Sequence, residues 1–396
     1  MERLFRISNE AMRRVPARFH RYLYDEIDWN SRLTGISGAR GSGKTIMMLQ
    51  RLKDVAKKAL SLYVTMDDVY FTENRLVYFV EEFEKQGGQY LFLDEVHKYP
   101  NWSQELKNIY DFHPNLKIVF SSSSILEIFK GSHDLSRRAS VFNLPGLSFR
   151  EYLLLVHKID IDAISLEYLL EKHESFSTHI LNHLKPIPLF NQYLKEGYYP
   201  FVVDTGSNYI RQLMNTINTV LEVDLPAIHH IDYHSTLKIK KLLSIIAHIV
   251  PYKPNIEKLA RQTNLTRPTL LKYLAYLDRA QIIKLLSTDP IGINYLNKPE
   301  KVFLHNTNIA YALANLKADK GNLREPFFLN QLSARHQVIY PKKGDFLIDG
   351  KYLFEVGGKN KTNAQIKDVE NAYIAADDIE YGFRNKIPLW MFGFLY

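Results

Sequence analysis

The stretch from Gly38 to Thr45 constrains the fold of this chain more than any other feature of its sequence. The eight residues spell G-A-R-G-S-G-K-T, follow the apolar run 33–36, and precede a segment, 46–52, whose apolar residues have helical spacing. Glycines in this arrangement let successive backbone N–H groups turn toward one point, and the first turn of a helix adds a partial positive charge. The pattern G-x-x-x-x-G-K-[ST] between a strand and a helix therefore predicts a loop that binds phosphate groups.

The residues of this loop have distinct predicted roles. Lys44 is expected to reach the β- and γ-phosphates of a nucleotide, and the Thr45 hydroxyl is expected to bind Mg²⁺. ATP and Mg²⁺ are therefore the predicted ligands. The predicted nucleotide-binding residues are Gly38, Ala39, Arg40, Gly41, Ser42, Gly43, Lys44 and Thr45.

A second predicted strand supplies two acidic residues. The apolar run 90–93 ends in Asp94 and Glu95, and a continuous apolar run is typical of a parallel strand that is buried on both faces. Ligands of open α/β sheets bind at the carboxyl ends of the strands. We therefore predict that Asp94 holds Mg²⁺, directly or through water, and that Glu95 polarises the attacking water. A buried strand that ends in a solvated acidic turn is the alternative.

The strand predicted at 117–120 ends in four serines, 121–124. If this strand lies between the other two, a polar residue at its tip can touch the γ-phosphate or the attacking water. Ser122 is the residue predicted for this sensor role. The serines are equally compatible with a loop that caps the next helix.

Arg137 and Arg138 precede a fifth predicted strand, 139–144. An arginine at this place can stabilise the transition-state charge of phosphoryl transfer, either in cis or from a neighbouring subunit. A solvated pair of surface arginines is the alternative. The alternation of strands and helices in this part of the chain predicts an α/β fold, with helices on both faces of a parallel sheet.

Several of these motifs together resemble one group of proteins. The phosphate-binding loop, the run 93–102 (L-D-E-V-H-K-Y-P-N-W), the serine-tipped strand, and the segments 135–138 and 147–152 resemble the AAA-plus-type P-loop ATPases of bacteria and archaea, in the group close to the archaeal ATPases. The resemblance implies an ATPase that acts on the γ-phosphate. It also implies four parts: an ATPase core with N-terminal helices at 1–150, a helical lid at 151–236, a winged helix at 237–298, and an α+β C-terminal domain of restriction-nuclease-like fold at 299–396.

Residues 239–286 independently have the pattern of a helix-turn-helix with a β-wing. Asn255 and Thr266 are the predicted N-caps of two consecutive helices, and Pro268 falls in the first turn of the second. The predicted groove-facing residues of that second helix are Arg267, Thr269, Lys272 and Tyr273. Double-stranded DNA is one predicted partner. The alternative is a module that packs on another protein or on the ATPase core.

A possible second site in the C-terminal region resembles the carboxylates and lysine of restriction-type nucleases, which hold Mg²⁺ and act on water. Its residues are Glu325, Asp345, Glu355 and Lys359. The position two residues after Glu355 is Gly357 instead of the expected lysine, and Lys359 and Lys361 are expected to need a changed backbone path to reach the carboxylates. We therefore expect a degenerate, structural or DNA-docking domain in preference to an active nuclease. A flexible basic loop at 357–361 that touches a phosphate backbone is a further alternative.

The composition of the chain limits the classes of protein to which it can belong. A chain of 396 residues with 46% hydrophobic and 24% charged residues is expected to form two or three globular domains. It has no apolar run that could span a bilayer, no signal-peptide core, and no cysteine for a disulfide or a thiolate zinc site. The expected location is the cytoplasm. The net charge of +8 is concentrated in 1–21 and 257–284, which permits nucleic-acid contact, although a solvated basic face is the alternative.

Three functions are compatible with these observations. The first is an Mg²⁺-dependent ATPase that couples hydrolysis to movement of the other domains, with or without DNA. The second is a nuclease under ATP control. The third is a nucleotide-dependent switch that holds a protein partner, and a homo-oligomer would be needed if an arginine acts in trans.

Overall fold

The computed structural model describes residues 1–15, 19–122, 135, 137–229, 231–289, 298–314, 318–362, 364 and 366–396. The chain divides into two compact units, Met1–Gly146 and Leu147–Tyr396. The division falls close to the predicted border at residue 150. The predicted subdivision of the second unit at 236 and 298 stays a prediction.

The first unit contains a five-stranded sheet with the order β2-β3-β4-β1-β5, in which every neighbouring pair is parallel. The strands are β1 Leu33–Ser37, β2 Leu60–Thr65, β3 Gly88–Asp94, β4 Lys117–Ser121 and β5 Ser140–Asn143. Because β4 lies between β1 and β3, the tips of these three strands meet at the carboxyl-end edge of the sheet. The strand order thus brings the phosphate-binding loop, the serines and the two acids to one edge.

Helices cover both faces of this sheet, and each face has its own buried apolar cluster. The helices are α1 Glu2–Arg13, α2 Tyr22–Glu26, α3 Lys44–Val55, α4 Tyr70–Glu73, α5 Leu76–Lys85 and α6 Trp102–Phe112. The predicted α/β class, with the parallel sheet of a P-loop nucleotide-binding core, is confirmed. In the part of the chain that the structure describes, no helix is long and apolar enough to cross a membrane.

The second unit begins with helices. They are α7 Phe149–Tyr152, α8 Leu166–Leu181, α9 Pro186–Glu196, α10 Val202–Thr205, α11 Tyr209–Thr219, α12 Leu225–His229, α13 Tyr233–Ile249, α14 Ile256–Thr263 and α15 Arg267–Arg279. The predicted caps of the last two are confirmed: the Asn255 side chain accepts a hydrogen bond from the Lys258 N–H, and the Thr266 side chain accepts one from the Thr269 N–H.

The rest of the second unit contains strands and two further helices. The elements are β6 Ile283–Leu286, β7 Lys301–Leu304, α16 Thr307–Leu313, α17 Arg324–Leu332, β8 Val338–Ile339, β9 Phe346–Ile348, β10 Tyr352–Gly357, β11 Ala372–Ala376 and β12 Lys386–Pro388. Strands β6 and β7 form an antiparallel pair. The other five form a mixed sheet in the order β12-β11-β10-β9-β8, in which β9 and β10 make the predicted hairpin around Asp349 and Gly350.

A buried amide ties α16 to the segment that follows α9. Asn308 is 0% exposed, and its Oδ1 accepts hydrogen bonds from the Tyr198 N–H, at 2.7 Å, and from the Tyr209 hydroxyl. Its Nδ2 donates to the carbonyl oxygens of Tyr193, at 3.1 Å, and Leu194, at 2.8 Å. One side chain therefore satisfies four backbone or hydroxyl groups that water cannot reach.

Asn308→Ala is expected to destabilise the second unit by about 3 kcal/mol or more, because it leaves buried polar groups without partners. Urea unfolding followed by circular dichroism measures the shift of that unit's transition. Asn322→Ala is the matched control, since Asn322 is exposed, and it should change stability by less than about 0.5 kcal/mol. Equal shifts in the two variants would contradict the role assigned to Asn308.

Candidate functional site

The phosphate-binding loop connects β1 to α3. Gly43 has a φ of 98°, a left-handed conformation that favours glycine, and α3 begins at the next residue, Lys44. At Gly38, a Cβ atom would lie only 2.3 Å from the carbonyl oxygen of Leu144. A side chain therefore does not fit there, and the loop packs closely against the end of β5 with a helix N-terminus behind it.

Lys44 is folded over this loop. Its side chain is 5% exposed, and Nζ donates hydrogen bonds to the carbonyl oxygens of Gly38, at 3.0 Å, and Ala39, at 2.9 Å. Ser42 is fully buried, while Arg40 is partly exposed. The ammonium group is thus already at the loop whose N–H groups are predicted to bind phosphate.

Asp94, at the end of β3, accepts hydrogen bonds from hydroxyl groups on three different elements. Thr45 Oγ1 donates to Oδ2 at 2.6 Å, and Tyr63 Oη donates to the same oxygen at 2.8 Å. Ser121 Oγ donates to Oδ1. The carboxylate is 3% exposed, so these hydroxyls replace the water that a buried charge would otherwise lack.

Thr45 and Asp94, the two predicted Mg²⁺ ligands, are in direct contact. A hydroxyl oxygen and a carboxylate oxygen are both ligands that Mg²⁺ accepts, and the ion usually completes its shell with phosphate oxygens and water. No group of three or more His, Cys, Asp or Glu side chains within the described ranges could hold a metal ion. A site with one protein carboxylate fits both observations.

Glu95 follows Asp94 in a left-handed conformation, with a φ of 55°. Its N–H donates to Ser121 Oγ at 3.2 Å. Its Oε2 is buried and accepts no hydrogen bond from any described residue; His97 Nε2 lies 3.6 Å away and Lys98 Nζ 3.9 Å away. Burial raises the pKa of the Glu95 carboxyl, and the nearby Lys44 opposes that shift.

The first two serines at the tip of β4 contact Asp94, Glu95 and His97, and the sensor role of Ser122 stays a prediction. Ser121, which sequence reasoning missed, contacts both Asp94 and the Glu95 backbone. Ser122 is fully buried, and its Oγ lies 3.2 Å from His97 Nδ1. The signal that could have identified Ser121 is strand register: Leu93 pairs with Phe120, so the next residues on the two strands are Asp94 and Ser121.

Arg21 is a second residue that sequence reasoning missed. It is 4% exposed, and its guanidinium donates to the carbonyl oxygens of Ser42, at 2.6 Å, and of Pro145 and Gly146, both at 2.8 Å. It therefore holds the phosphate-binding loop against the chain that leaves β5. No local sequence pattern distinguishes this arginine from the other cations of 1–21.

The two arginines before β5 lie far from the loop. Residues that precede a parallel strand lie at the amino-end edge of the sheet, whereas the phosphate-binding loop follows β1 at the carboxyl-end edge. Arg138 donates from two guanidinium nitrogens to Asp111, at 2.8 and 2.9 Å, and Arg137 is exposed. The topology excludes a contribution in cis, so only the alternative in trans or the surface pair stays open.

Helix α15, the predicted recognition helix, presents part of the expected face. Arg267 and Lys272 are exposed, whereas Tyr273 is 7% exposed and packs inward, so its predicted groove-facing position is wrong. Tyr273 is the first of five consecutive buried residues, 273–277. An open groove along the outer face is lined by Arg267, Pro268, Leu271, Lys272, Ala275, Tyr276 and Arg279.

Of the predicted carboxylates of the second site, Glu325 lies on α17, Asp345 directly precedes β9, and Glu355 lies on β10. Glu355 is 1% exposed, and neither of its oxygens has a hydrogen bond within the described residues. Asp345 Oδ2 accepts from the Val356 N–H at 2.9 Å. Glu325 pairs with Lys301, and burial raises the pKa of the Glu325 carboxyl while Lys301 opposes that shift.

The lysine at this second site is Lys361, and Lys359 is exposed to solvent. Lys361 Nζ lies 3.2 Å from Glu355 Oε2, an ion pair outside hydrogen-bond geometry. The Lys361 N–H donates to the Gly358 carbonyl at 2.9 Å, so a turn provides the changed backbone path that Lys361 was expected to need. That turn returns the chain toward β10.

Two family models match this chain. Residues 30–153 match the AAA domain, and residues 187–320 match a domain of unknown function (DUF8612). The first match covers the sheet, the phosphate-binding loop and the two acids described above. Residues 30–153 are therefore similar to the AAA domain and have the P-loop fold described above.

Similar proteins cover most of the chain. An uncharacterised protein of Methanocaldococcus jannaschii is 27% identical over an aligned length of 380, and the match covers 84% of this chain and 77% of that protein. A Walker-type ATPase of Pyrococcus abyssi superposes with a TM-score of 0.46 at 13% identity, over 76% of this chain and 98% of the other. DnaA from Aquifex aeolicus, bound to AMPPCP, superposes with a TM-score of 0.25 at 14% identity, over 69% and 86%.

Proposed function

We propose that this protein is an Mg²⁺-dependent ATPase that hydrolyses the γ-phosphate of ATP in its first unit. The observation that carries this proposal is the contact between Thr45 and Asp94, at 2.6 Å, beside the buried Lys44. It joins the phosphate-binding loop to an acidic strand end, which is the arrangement that phosphoryl transfer requires. Glu95, which directly follows Asp94 in the chain, adds a carboxylate that can orient the attacking water.

Different residues of the first unit have different roles in the proposed reaction. The loop N–H groups and Lys44 bind the phosphates, and Lys44 exchanges its two loop carbonyls for phosphate oxygens. Thr45 and Asp94 hold Mg²⁺, which when bound neutralises charge on the β- and γ-phosphates. Glu95 orients the water and accepts its proton, and the raised pKa of this buried carboxyl strengthens it as a base.

Lys44→Ala is expected to abolish nucleotide binding, and Glu95→Gln is expected to keep binding while turnover falls by roughly 100-fold or more. The glutamine keeps the shape of the side chain but cannot accept a proton. Titration with a fluorescent ATP analogue and a phosphate-release assay measure the two effects. Lys57→Ala, an exposed cation beyond α3, is the control and should match the wild type. Rapid turnover by Glu95→Gln would remove Glu95 from the mechanism.

The positions of Arg137 and Arg138 decide whether a second copy of the chain is needed for catalysis. A transition-state contribution from Arg137 or Arg138 needs a second copy of the chain, because both lie at the edge of the sheet opposite the loop. We infer a homo-oligomer only for that case. A protein partner that responds to the bound nucleotide, held by the second unit, remains the alternative role for the ATPase cycle.

We also propose that the second unit binds double-stranded DNA through α15. The supporting observation is the outer groove of this helix, where Arg267, Lys272 and Arg279 are exposed on one side of a helix that Thr266 caps. The antiparallel pair β6–β7 follows α15, as a wing follows a recognition helix. Three exposed cations along one helix supply the positive charge that attracts phosphate groups.

Replacing Arg267, Lys272 and Arg279 together by glutamine should weaken DNA binding and lower the slope of log K against log salt by about 3. Fluorescence anisotropy with a labelled duplex at several salt concentrations measures both. The control carries the same charge change on Lys57, Lys58 and Lys85, which are exposed cations of the first unit. An equal loss in the control would indicate attraction by net charge and contradict an α15 site.

A nuclease under ATP control is the second candidate function. The specific observation in its favour is Lys361, whose Nζ lies 3.2 Å from the buried Glu355. Glu355 on β10 then has a lysine beside it, and the second carboxylate, Asp345, accepts a hydrogen bond from the Val356 N–H of the same strand. This arrangement offers the oxygen ligands and the cation that metal-assisted hydrolysis of a phosphodiester uses.

If this second site cuts DNA, Asp345→Asn and Lys361→Gln should each abolish cleavage, while Lys359→Gln should leave it unchanged. Lys359 is exposed two residues from Lys361 and is therefore a matched control. Incubation of duplex DNA with Mg²⁺ or Mn²⁺, followed by gel electrophoresis, measures the products. Absence of cleavage by the wild-type protein would support the docking or structural domain that the sequence favours.

A further inference from the structure

His97 occupies a place that the mechanism above does not use. It lies in the short 3₁₀ turn Val96–Lys98 directly after the two acids, and its side chain is only 4% exposed. One ring nitrogen, Nδ1, lies 3.2 Å from Ser122 Oγ at the tip of β4. The other, Nε2, lies 3.6 Å from Glu95 Oε2. The ring therefore lies between the central strand tip and the proposed base.

The tautomer of this imidazole follows from its neighbours. Burial lowers the pKa of His97 to about 3, and Lys98 and Lys44 contribute to that shift, so the ring is neutral and carries one N–H. A carboxylate only accepts hydrogen bonds, so the N–H faces Glu95 from Nε2, and Nδ1 accepts from the Ser122 hydroxyl. The opposite tautomer would set a lone pair against a carboxylate oxygen.

We propose that His97 is a positioning residue for Glu95, which it orients through Nε2–H while Ser122 fixes the ring through Nδ1. The proposal rests on the proposed ATPase function. Glu95 Oε2 is buried without a hydrogen bond from the described residues, and a movement of less than about 1 Å brings it within hydrogen-bond distance of Nε2. That bond leaves the other carboxylate oxygen for the attacking water and fixes the rotation of the carboxylate group.

Lys98 is the rival for this role, and two observations weigh against it. Its Nζ lies 3.9 Å from Glu95 Oε2 but donates at 2.7 Å to Asp67 Oδ2. Its side chain is 30% exposed, compared with 4% for His97. The ammonium is thus held by another carboxylate and partly hydrated, whereas the imidazole is held by the strand tip itself.

Two substitutions of His97 separate its two contacts. The amide nitrogen of glutamine occupies roughly the position of Nε2, so His97→Gln can still donate to Glu95. Asparagine reaches only as far as Nδ1, so His97→Asn can still contact Ser122 but loses Glu95. We expect His97→Asn to lower kcat by about 10- to 100-fold, with the Kd for ATP unchanged, because a misplaced base slows the chemical step. His97→Gln should stay within a few-fold of the wild type.

Two further variants complete the test. Ser122→Ala should lower kcat when it is the only substitution. In the His97→Asn background it should lower kcat little further, because the contact between residue 97 and Glu95 is already lost. Lys98→Gln should change kcat by less than a factor of about 3. Thermal unfolding and ATP titration of each variant show whether the fold and the nucleotide site are intact.

The possible outcomes test the role of His97 separately from the proposed ATPase activity. If the wild-type protein binds ATP but does not hydrolyse it, the ATPase proposal is wrong, and the role proposed for His97 is wrong with it. If the wild type hydrolyses ATP and His97→Asn has the same kcat, the role proposed for His97 is wrong while the ATPase proposal stands. The same holds if the Asn and Gln variants lose kcat equally. A loss in Lys98→Gln without one in His97→Asn would transfer the role to Lys98.

Discussion

The buried carboxylate of Asp94 is the interaction on which the first unit depends. A charge that is 3% exposed is stable only if polar groups replace its water, and hydroxyls from Thr45, Tyr63 and Ser121 do so. These residues belong to α3, β2 and β4, so one carboxylate ties the phosphate-binding helix to both strands that flank β3. The contacts that stabilise this charge also set the relative positions of the loop, the predicted Mg²⁺ ligands and the tip of β4.

Local patterns were enough to predict the strands, the loop and the two acids. Each depends on residues that are near in sequence: a glycine-rich turn before a helix, or an apolar run that ends in acids. Tyr63, Ser121 and Arg21 were missed because their roles arise from pairing between distant segments. Ser121 meets Asp94 through parallel register, and Arg21 reaches carbonyls more than one hundred residues away in the sequence. No periodicity within a single element encodes such contacts.

Two side chains of the second unit show what local patterns leave undecided. The predicted face of α15 included Tyr273, but Tyr273 is one of five consecutive buried residues, 273–277. Lys361 was expected to reach Glu355 only by a changed backbone path, and a hydrogen-bonded turn from Gly358 provides that path. In both cases the sequence identified the residue and its element, and the packing of a helix or the closure of a turn decided where the side chain lies.

Each unit has a glutamate with a buried carboxylate oxygen that accepts no hydrogen bond from the described residues, Oε2 of Glu95 and both oxygens of Glu355, and the nearby positive charge differs between the two. Glu355 has an ammonium at 3.2 Å, which opposes its charge directly. Glu95 has a neutral imidazole at 3.6 Å, while the cation of Lys98 is held by Asp67. A neutral donor can orient a carboxylate without cancelling its charge, so the carboxylate keeps its attraction for a proton. An ammonium at the position of the His97 ring would weaken Glu95 as a base. A neutral histidine beside Glu95 is therefore consistent with a carboxylate that accepts a proton from water.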